Sequence, residues 1–248
     1  MLDYRVILPG VPVSSDRGAL GWCSVSLMEI AGKKILFDTG SSGDRKMLLE
    51  GLQREGIQPD EIDILFVSHL HFDHFINAEL FTGSKIFVSQ RDLDYVLQGE
   101  FREKNDPYVP FTMVTALEDY LIPCREDDEI VAGLRVVPLP GHTPGTSGLF
   151  YEEDRILFAS DGVKNGWEFV HNEPPPSFHS ETAALENYEF VRRHVDTVIP
   201  GHDRPFRIHG TTEIEYVREL SCTIQFYPEP DGDGQCVRFG GGGLTIVH

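Results

Sequence analysis

The stretch that most constrains this chain is an apolar run that stops abruptly on a cluster of histidines. Ile62-Asp63-Ile64-Leu65-Phe66-Val67 is nearly continuous in apolar residues, and Ser68-His69-Leu70-His71-Phe72-Asp73-His74 follows it directly. Such a run predicts a strand buried on both faces, which requires layers on both sides of its sheet. Side chains inside a strand alternate between faces, whereas loops leaving strand ends can converge on one another. The histidines therefore mark a sheet edge at which chemistry collects. With 10 histidines in 248 residues, an H-x-H-x-D-H hexad is specific as motifs go.

Three later segments repeat the design of a polar side chain held in a tight turn. Pro140-Gly141-His142-Thr143-Pro144-Gly145 places a histidine between prolines and glycines. Ala159-Ser160-Asp161-Gly162 ends an apolar run on an aspartate, and Ile199-Pro200-Gly201-His202-Asp203 ends another on a histidine. Neutral imidazole and carboxylate are good ligands for zinc and its neighbours. A lone histidine in a turn is ordinarily a solvated surface residue, so the ordered set is what singles out His142 and His202.

The rest of the chain reads as alternating elements. Strands are predicted at 22–30, 34–38, 85–88, 134–138, 146–151, 155–159 and 195–199. Helices are predicted at 45–55, at 91–97, from an N-cap at Ser180 to His194, and at 212–220. A strand pair is expected within 235–247. With no fixed-period repeat or linker-like break, residues 1–248 read as a single domain. Segments 99–128 and 163–179 read as irregular insertions, long enough to form functional loops over a site. Within them Tyr108, Phe111, Trp167 and Phe169 are candidates to wall an apolar pocket. Tyr108, Lys164, Trp167 and His171 are candidate substrate contacts, Lys164 toward a carboxylate or phosphate.

Composition narrows the function classes. Forty acidic against 21 basic residues give a net charge of -19, a field that repels phosphate backbones and argues against general nucleic-acid binding. No apolar stretch approaches the ~20 residues of a membrane span. The N-terminus lacks the basic start and apolar stretch of a signal peptide, so the expected location is the cytoplasm. Cys23, Cys124, Cys222 and Cys236 form no C-x-x-C pair and read as reduced, small apolar side chains.

The hexad at 69–74 followed by His142, Asp161 and His202, in that order, resembles the metallo-β-lactamase superfamily, and Phe37-Asp38-Thr39-Gly40 resembles that family's strand before the first helix. The resemblance covers roughly residues 22–205. It implies an α/β fold, a four-layer αββα sandwich with two metals at one edge. By position, His69, His71 and His142 would hold the first metal. Asp73, His74 and His202 would hold the second, Asp161 would bridge both, and Asp38 would support the ligand loop from behind. The metals are expected to be divalent, zinc first, with iron or manganese as alternatives.

The chemistry implied is hydrolysis of an ester, lactone, thioester or similar bond of a small molecule by a metal-bridging hydroxide. Asp161 would bridge the metals, and Asp73 would pass a proton to the leaving group. The wording of residues 68–74 is similar to that of quorum-signal lactonases. Those enzymes carry a tyrosine three residues after the bridging aspartate, where this chain has Lys164. Two alternatives stay open: a phosphodiesterase or nuclease of the same fold, and a sulfur dioxygenase with one iron at the positions of His69, His71 and His142. The oligomeric state is not legible.

Overall fold

A computed structural model describes residues 2–210, 213–226, 235–240 and 243–247. The chain opens with β1 (Asp3–Leu8), a small hairpin of β2 (Ser14–Ser15) and β3 (Gly18–Ala19), β4 (Val25–Ile30), β5 (Lys33–Phe37) and α1 (Arg45–Arg54). Next come β6 (Ile64–Val67), the single turn α2 (Phe72–Phe75), β7 (Lys85–Ser89), α3 (Gln90–Leu97), α4 (Glu100–Glu103), α5 (Phe111–Leu117) and β8 (Leu121–Cys124). The second half contains β9 (Glu129–Val131), β10 (Leu134–Pro138), β11 (Ser147–Tyr151), β12 (Ile156–Ser160), α6 (Gly166–His171), α7 (Glu181–His194), β13 (Thr197–Pro200), β14 (Phe206–His209) and β15 (Glu213–Tyr216). An antiparallel meander of β16 (Cys222–Phe226), β17 (Gln235–Gly240) and β18 (Gly243–Val247) follows.

Two sheets carry the fold. One has six strands in the order β1-β4-β5-β6-β7-β8, and the other seven in the order β15-β14-β13-β12-β11-β10-β9. Parallel pairing joins β5 to β6, β6 to β7, β7 to β8 and β12 to β13. The period of two along β6 explains its apolar run. Ile64 and Phe66 enter the core between the sheets with Phe37, Leu149 and Phe158. Leu65 and Val67 enter the outer core with Leu48 and Leu52 of α1, Leu93 and Val96 of α3 and Val114 of α5. On the far side, Leu157, Ala159 and Val198 pack against Phe169 of α6 and Tyr188 and Val191 of α7. The layers are therefore helix, sheet, sheet and helix, the αββα sandwich expected. Among the described residues no helix is long and apolar enough to cross a membrane.

Three expectations need correction. Segment 99–128 is not irregular: it contains α4, α5 and β8, and β8 pairs in parallel with β7. Segment 163–179 contains α6. The helix expected at 212–220 is not formed by the described residues 213–220. Glu213-Ile214-Glu215-Tyr216 is an edge strand paired with β14, and its polar–apolar alternation suits a strand once a partner edge is present. The strand pair expected within 235–247 is observed as β17 and β18.

Candidate metal centre

Strand ends bring the predicted residues together. β6 delivers His69, α2 carries Asp73 and His74 just after it, and the 139–146 turn carries His142. β12 ends at Ser160 before Asp161, and β13 ends at Pro200 before His202. A Cβ added to Gly201 would lie 2.1 Å from Asp161 Oδ1, so only glycine lets the His202 turn approach that carboxylate. Asp38 and Ser160 adopt positive φ values of 62° and 48°. Each conformation costs on the order of 1–3 kcal/mol. It is offset by a buried network in which Asp38 accepts from Ser68 N (2.8 Å), Ser68 Oγ (2.9 Å), Ser160 Oγ (3.1 Å) and His74 Nδ1 (2.8 Å).

The seven candidate ligands are all buried. Their donor atoms group as His69–His71–His142, as Asp73–His74–His202 and as His69–His74–Asp161, each within 4.8 Å. Asp161 faces both sides. Its Oδ1 lies 3.2 Å from His202 Nε2 and 3.5 Å from His74 Nε2, and its Oδ2 lies 3.4 Å from His142 Nε2. Asp73 Oδ2 lies 3.4 Å from His202 Nε2 and 3.7 Å from His74 Nε2.

The hydrogen bonds on the outer side of four of the five rings show that this set fits metal ions. Ser68 Oγ donates to Asp38, so at 3.0 Å it accepts from His69 Nδ1. His74 donates through Nδ1 to Asp38, His142 through Nδ1 to the Pro176 carbonyl, and His71 through Nε2 to Asp106 Oδ2 at 2.8 Å. Each inner nitrogen is left as a lone pair. Those of His71 and His142 face each other at 3.0 Å, an arrangement that a cation between them relieves. His69 Nε2, His74 Nε2, His202 Nε2 and Asp161 Oδ1 are buried without any hydrogen-bond partner. Orphaned polar atoms of this kind require an explanation, and a carboxylate and imidazole cluster supplies one.

Electrostatics favour the ligand forms of His69, His142 and Asp161. Burial holds His69 well below the usual imidazole range and His142 down at about 3, so both rings stay neutral. Burial pushes Asp161 up, but Lys164 and the surrounding histidines outweigh it and hold the carboxyl well below its ordinary range. Burial also opposes charge on His74, yet Cys23, Asp73, Asp38 and Asp161 lift it well above its ordinary value. That part of the site is therefore a place that seeks positive charge.

Two supporting aspartates were missed in the sequence. Asp106 accepts from His71 Nε2, from Tyr95 Oη at 3.0 Å and from Tyr108 N at 3.0 Å. Burial raises its carboxyl, but the bonds from His71, Tyr108 and Tyr95 bring it below its ordinary range. Asp92 accepts from Leu70 N and from Thr143 Oγ1, both at 2.6 Å, tying the hexad loop to the His142 turn. A Cβ on Gly145 would lie 2.2 Å from Asp92 N, so this helix end packs directly on that turn. The one available signal was Pro107, which biases Asp106 toward extended backbone.

A cavity of about 340 Å³ opens over the cluster, lined on one side by His71, Phe72, Asp73, Tyr108, His142, Asp161 and His202. Its other lining comes from the hairpin stretch 12–21 and from Lys164, Asn165, Glu168 and Pro176. Tyr108 and Lys164 thus reach the cavity, and Lys164 Nζ donates to Asp161 Oδ2 at 3.0 Å. A carboxylate oxygen has lone pairs for this bond and for a metal. Trp167 and His171 are not among the lining residues. Trp167 is 59% exposed and stacks on the His171 ring at 4.3 Å. Phe169 lies on the buried face of α6 and Phe111 packs on the outer core, so neither walls the pocket. Phe178 instead lies 5.7 Å from the His71 ring and 5.8 Å from Tyr108. Cys23 is no ligand either: burial pushes its thiol up to about 12, and it donates to the Asp73 carbonyl at 2.8 Å.

Comparison with known proteins agrees with this geometry. The model of the metallo-beta-lactamase superfamily matches residues 20–202. Metallo-beta-lactamase domain-containing protein 1 of Xenopus laevis is 32% identical over 189 residues, covering 71% of this chain and 70% of that protein. An N-acyl homoserine lactonase of Bacillus thuringiensis is 28% identical over 234 residues, covering 82% of this chain and 89% of that protein. Among solved structures, a dizinc quorum-quenching lactonase in complex with a product superposes with a TM-score of 0.66 at 19% identity. It covers 80% of this chain and 79% of its own, and at that identity the likeness concerns the fold alone. Sequence match, layer order and the buried His/Asp metal-binding cluster lead to one conclusion: the chain belongs to the metallo-β-lactamase superfamily and is a metal-dependent hydrolase.

Proposed function

We propose that this protein hydrolyses an ester or lactone bond of a small molecule using two divalent metal ions, zinc in the first place. The observation that carries the reading is Asp161, whose Oδ1 faces the unpartnered nitrogens of His74 and His202 while its Oδ2 faces His142 Nε2. His69, His71 and His142 would hold one ion, and Asp73, His74 and His202 the other. When bound, such a pair supplies an activated water and a Lewis acid for the substrate oxygen. The chain's own residues do the rest. Asp73 lines the cavity beside His202 and would carry a proton to the leaving oxygen. Lys164 and Tyr108 present polar groups to the substrate, with an ammonium at position 164 where similar lactonases have a tyrosine. Phe72 and Pro176 keep the wall apolar, and the cavity volume suits a small molecule rather than a polymer. The 28% identical relative named as a lactonase supports the lactone in particular.

Metal quantification on protein purified without added metal, followed by a panel of lactone, ester, thioester and phosphodiester substrates, tests the reading. Two metals per chain with turnover of lactones or esters is the expected result. Full turnover by metal-depleted protein would overturn it, as would activity confined to phosphodiesters. One iron per chain with oxygen consumption on a persulfide would replace it with redox chemistry.

A further inference from the structure

The two groups of ligands that Asp161 joins are unequal in charge. His69, His71 and His142 offer imidazoles only, so the anionic oxygen nearest them is Asp161 Oδ2, 3.4 Å from His142 Nε2. His74 and His202 have a carboxylate of their own in Asp73, and they face Asp161 Oδ1 at 3.5 Å and 3.2 Å. The two oxygens of Asp161 are also engaged differently. Oδ1 is buried without a hydrogen-bond partner, whereas Oδ2 accepts from Lys164 Nζ at 3.0 Å. Backbone bonds hold the lysine in place. Its carbonyl accepts from His202 N at 2.7 Å, Gly201 N bonds to the carbonyls of Ser160 and Val163, and the next residue, Asn165, caps α6. The lysine side chain is only 18% exposed, so little water screens the ammonium from the oxygen it meets. An ammonium beside a ligating carboxylate oxygen draws electron density from it and repels a cation that shares it.

We propose that Lys164 makes the two metal sites unequal: its ammonium weakens the His69–His71–His142 site, so that the Asp73–His74–His202 site takes up its divalent cation first and holds it more tightly. This order of filling rests on the dinuclear reading above and deepens it. A lone cation sits beside Asp73, not in the three-histidine site that one-iron redox chemistry would use.

Stepwise removal of zinc from the loaded enzyme by a chromophoric chelator gives the two dissociation constants. In the wild type they should differ by about tenfold or more, the low end of what a partner of a metal ligand ordinarily contributes. Lys164→Met keeps the length of the side chain without its charge, and it should tighten the weaker site by about tenfold while Lys164→Arg preserves the gap. A purely orienting lysine gives the opposite sign, with the weaker site loosened in Lys164→Met. The ligands tell the sites apart: His142→Ala should keep the tighter ion and lose the weaker, and His202→Ala should do the reverse. Should either histidine variant fail to fold, cadmium-113 NMR of the wild type at one equivalent identifies the filled site, because an oxygen-rich ligand set resonates upfield of a nitrogen-rich one. Equal affinities in the wild type, a first equivalent that fills the three-histidine site, or a gap that Lys164→Met leaves unchanged or widens overturns the inference. Binding of a single ion at saturating zinc overturns the dinuclear reading instead. The lysine assignment then stands only if that ion is lost in His202→Ala and a second is gained in Lys164→Met.

Discussion

The two sides of the cavity are held in different ways. On the cluster side, the outer nitrogens of His69, His71, His74 and His142 are each anchored, to Ser68, Asp106, Asp38 and the Pro176 carbonyl. Three of these bonds are fully buried, and others behind them connect distant segments: Asp38 ties the end of β5 to the loop after β6 and to the end of β12, and Asp92 ties α3 to the hexad loop and the His142 turn. On the opposite side, the β2–β3 hairpin is largely exposed, and its own bonds are local, with Ser15 Oγ donating to Gly18 O at 3.0 Å. The contrast separates two tasks. Chemistry needs donor atoms preorganised by packed neighbours, whereas substrate choice can be left to segments with few buried contacts.

The largest break in that contrast comes from the residue both triads approach. Asp161→Ala removes the shared carboxylate and leaves the half-buried Lys164 ammonium without its hydrogen-bonded partner beside the five imidazoles. Activity should be lost together with metal, measured by elemental analysis on the folded variant. Retention of two metals per chain would show that Asp161 does not join the triads.

An intermediate effect is expected one layer back. Asp106→Asn keeps the shape of the side chain but removes the charge that fixes the His71 ring with Nδ1 inward. Loss of such a carboxylate partner ordinarily lowers metal affinity by about 10–100-fold. Competition with a chromophoric chelator measures it, and an unchanged affinity would mean that packing alone orients the ring.

These two aspartates also show what the sequence could and could not disclose. Asp161 was legible because it follows an apolar run and precedes a glycine, so its position at a strand end is a local property. The same holds for His69, His142 and His202, and for the layers, since the apolar run of β6 requires cover on both faces. Asp106 lies in Lys104-Asn105-Asp106-Pro107, which reads as an ordinary surface turn, and only the tertiary path of the chain after α4 carries it to His71. For Glu213–Tyr216 the sequence favoured a helix because the edge of β14 that makes it a strand is not visible locally. Strand-end chemistry is thus written in short-range pattern, while the supporting residues are set by contacts between segments far apart in the chain.

The smallest effect is expected at the hairpin tip, where the contrast can be sharpened. Arg17 is exposed, and its backbone N–H is held by Ser15 Oγ at 3.2 Å, a bond that a side-chain change leaves intact. Gly18 beside it faces the Tyr108 hydroxyl across the cavity mouth. Arg17→Ala removes a charge next in sequence to the cavity-lining Gly18 without touching a buried contact. Stability should stay within about 0.5 kcal/mol of the parent by chemical denaturation. Metal content should not change, while KM for an anionic substrate rises with kcat held. A loss of bound metal in this variant would mean that the hairpin supports the ligand cluster, and the division between a preorganised metal wall and an adaptable substrate wall would have to be given up.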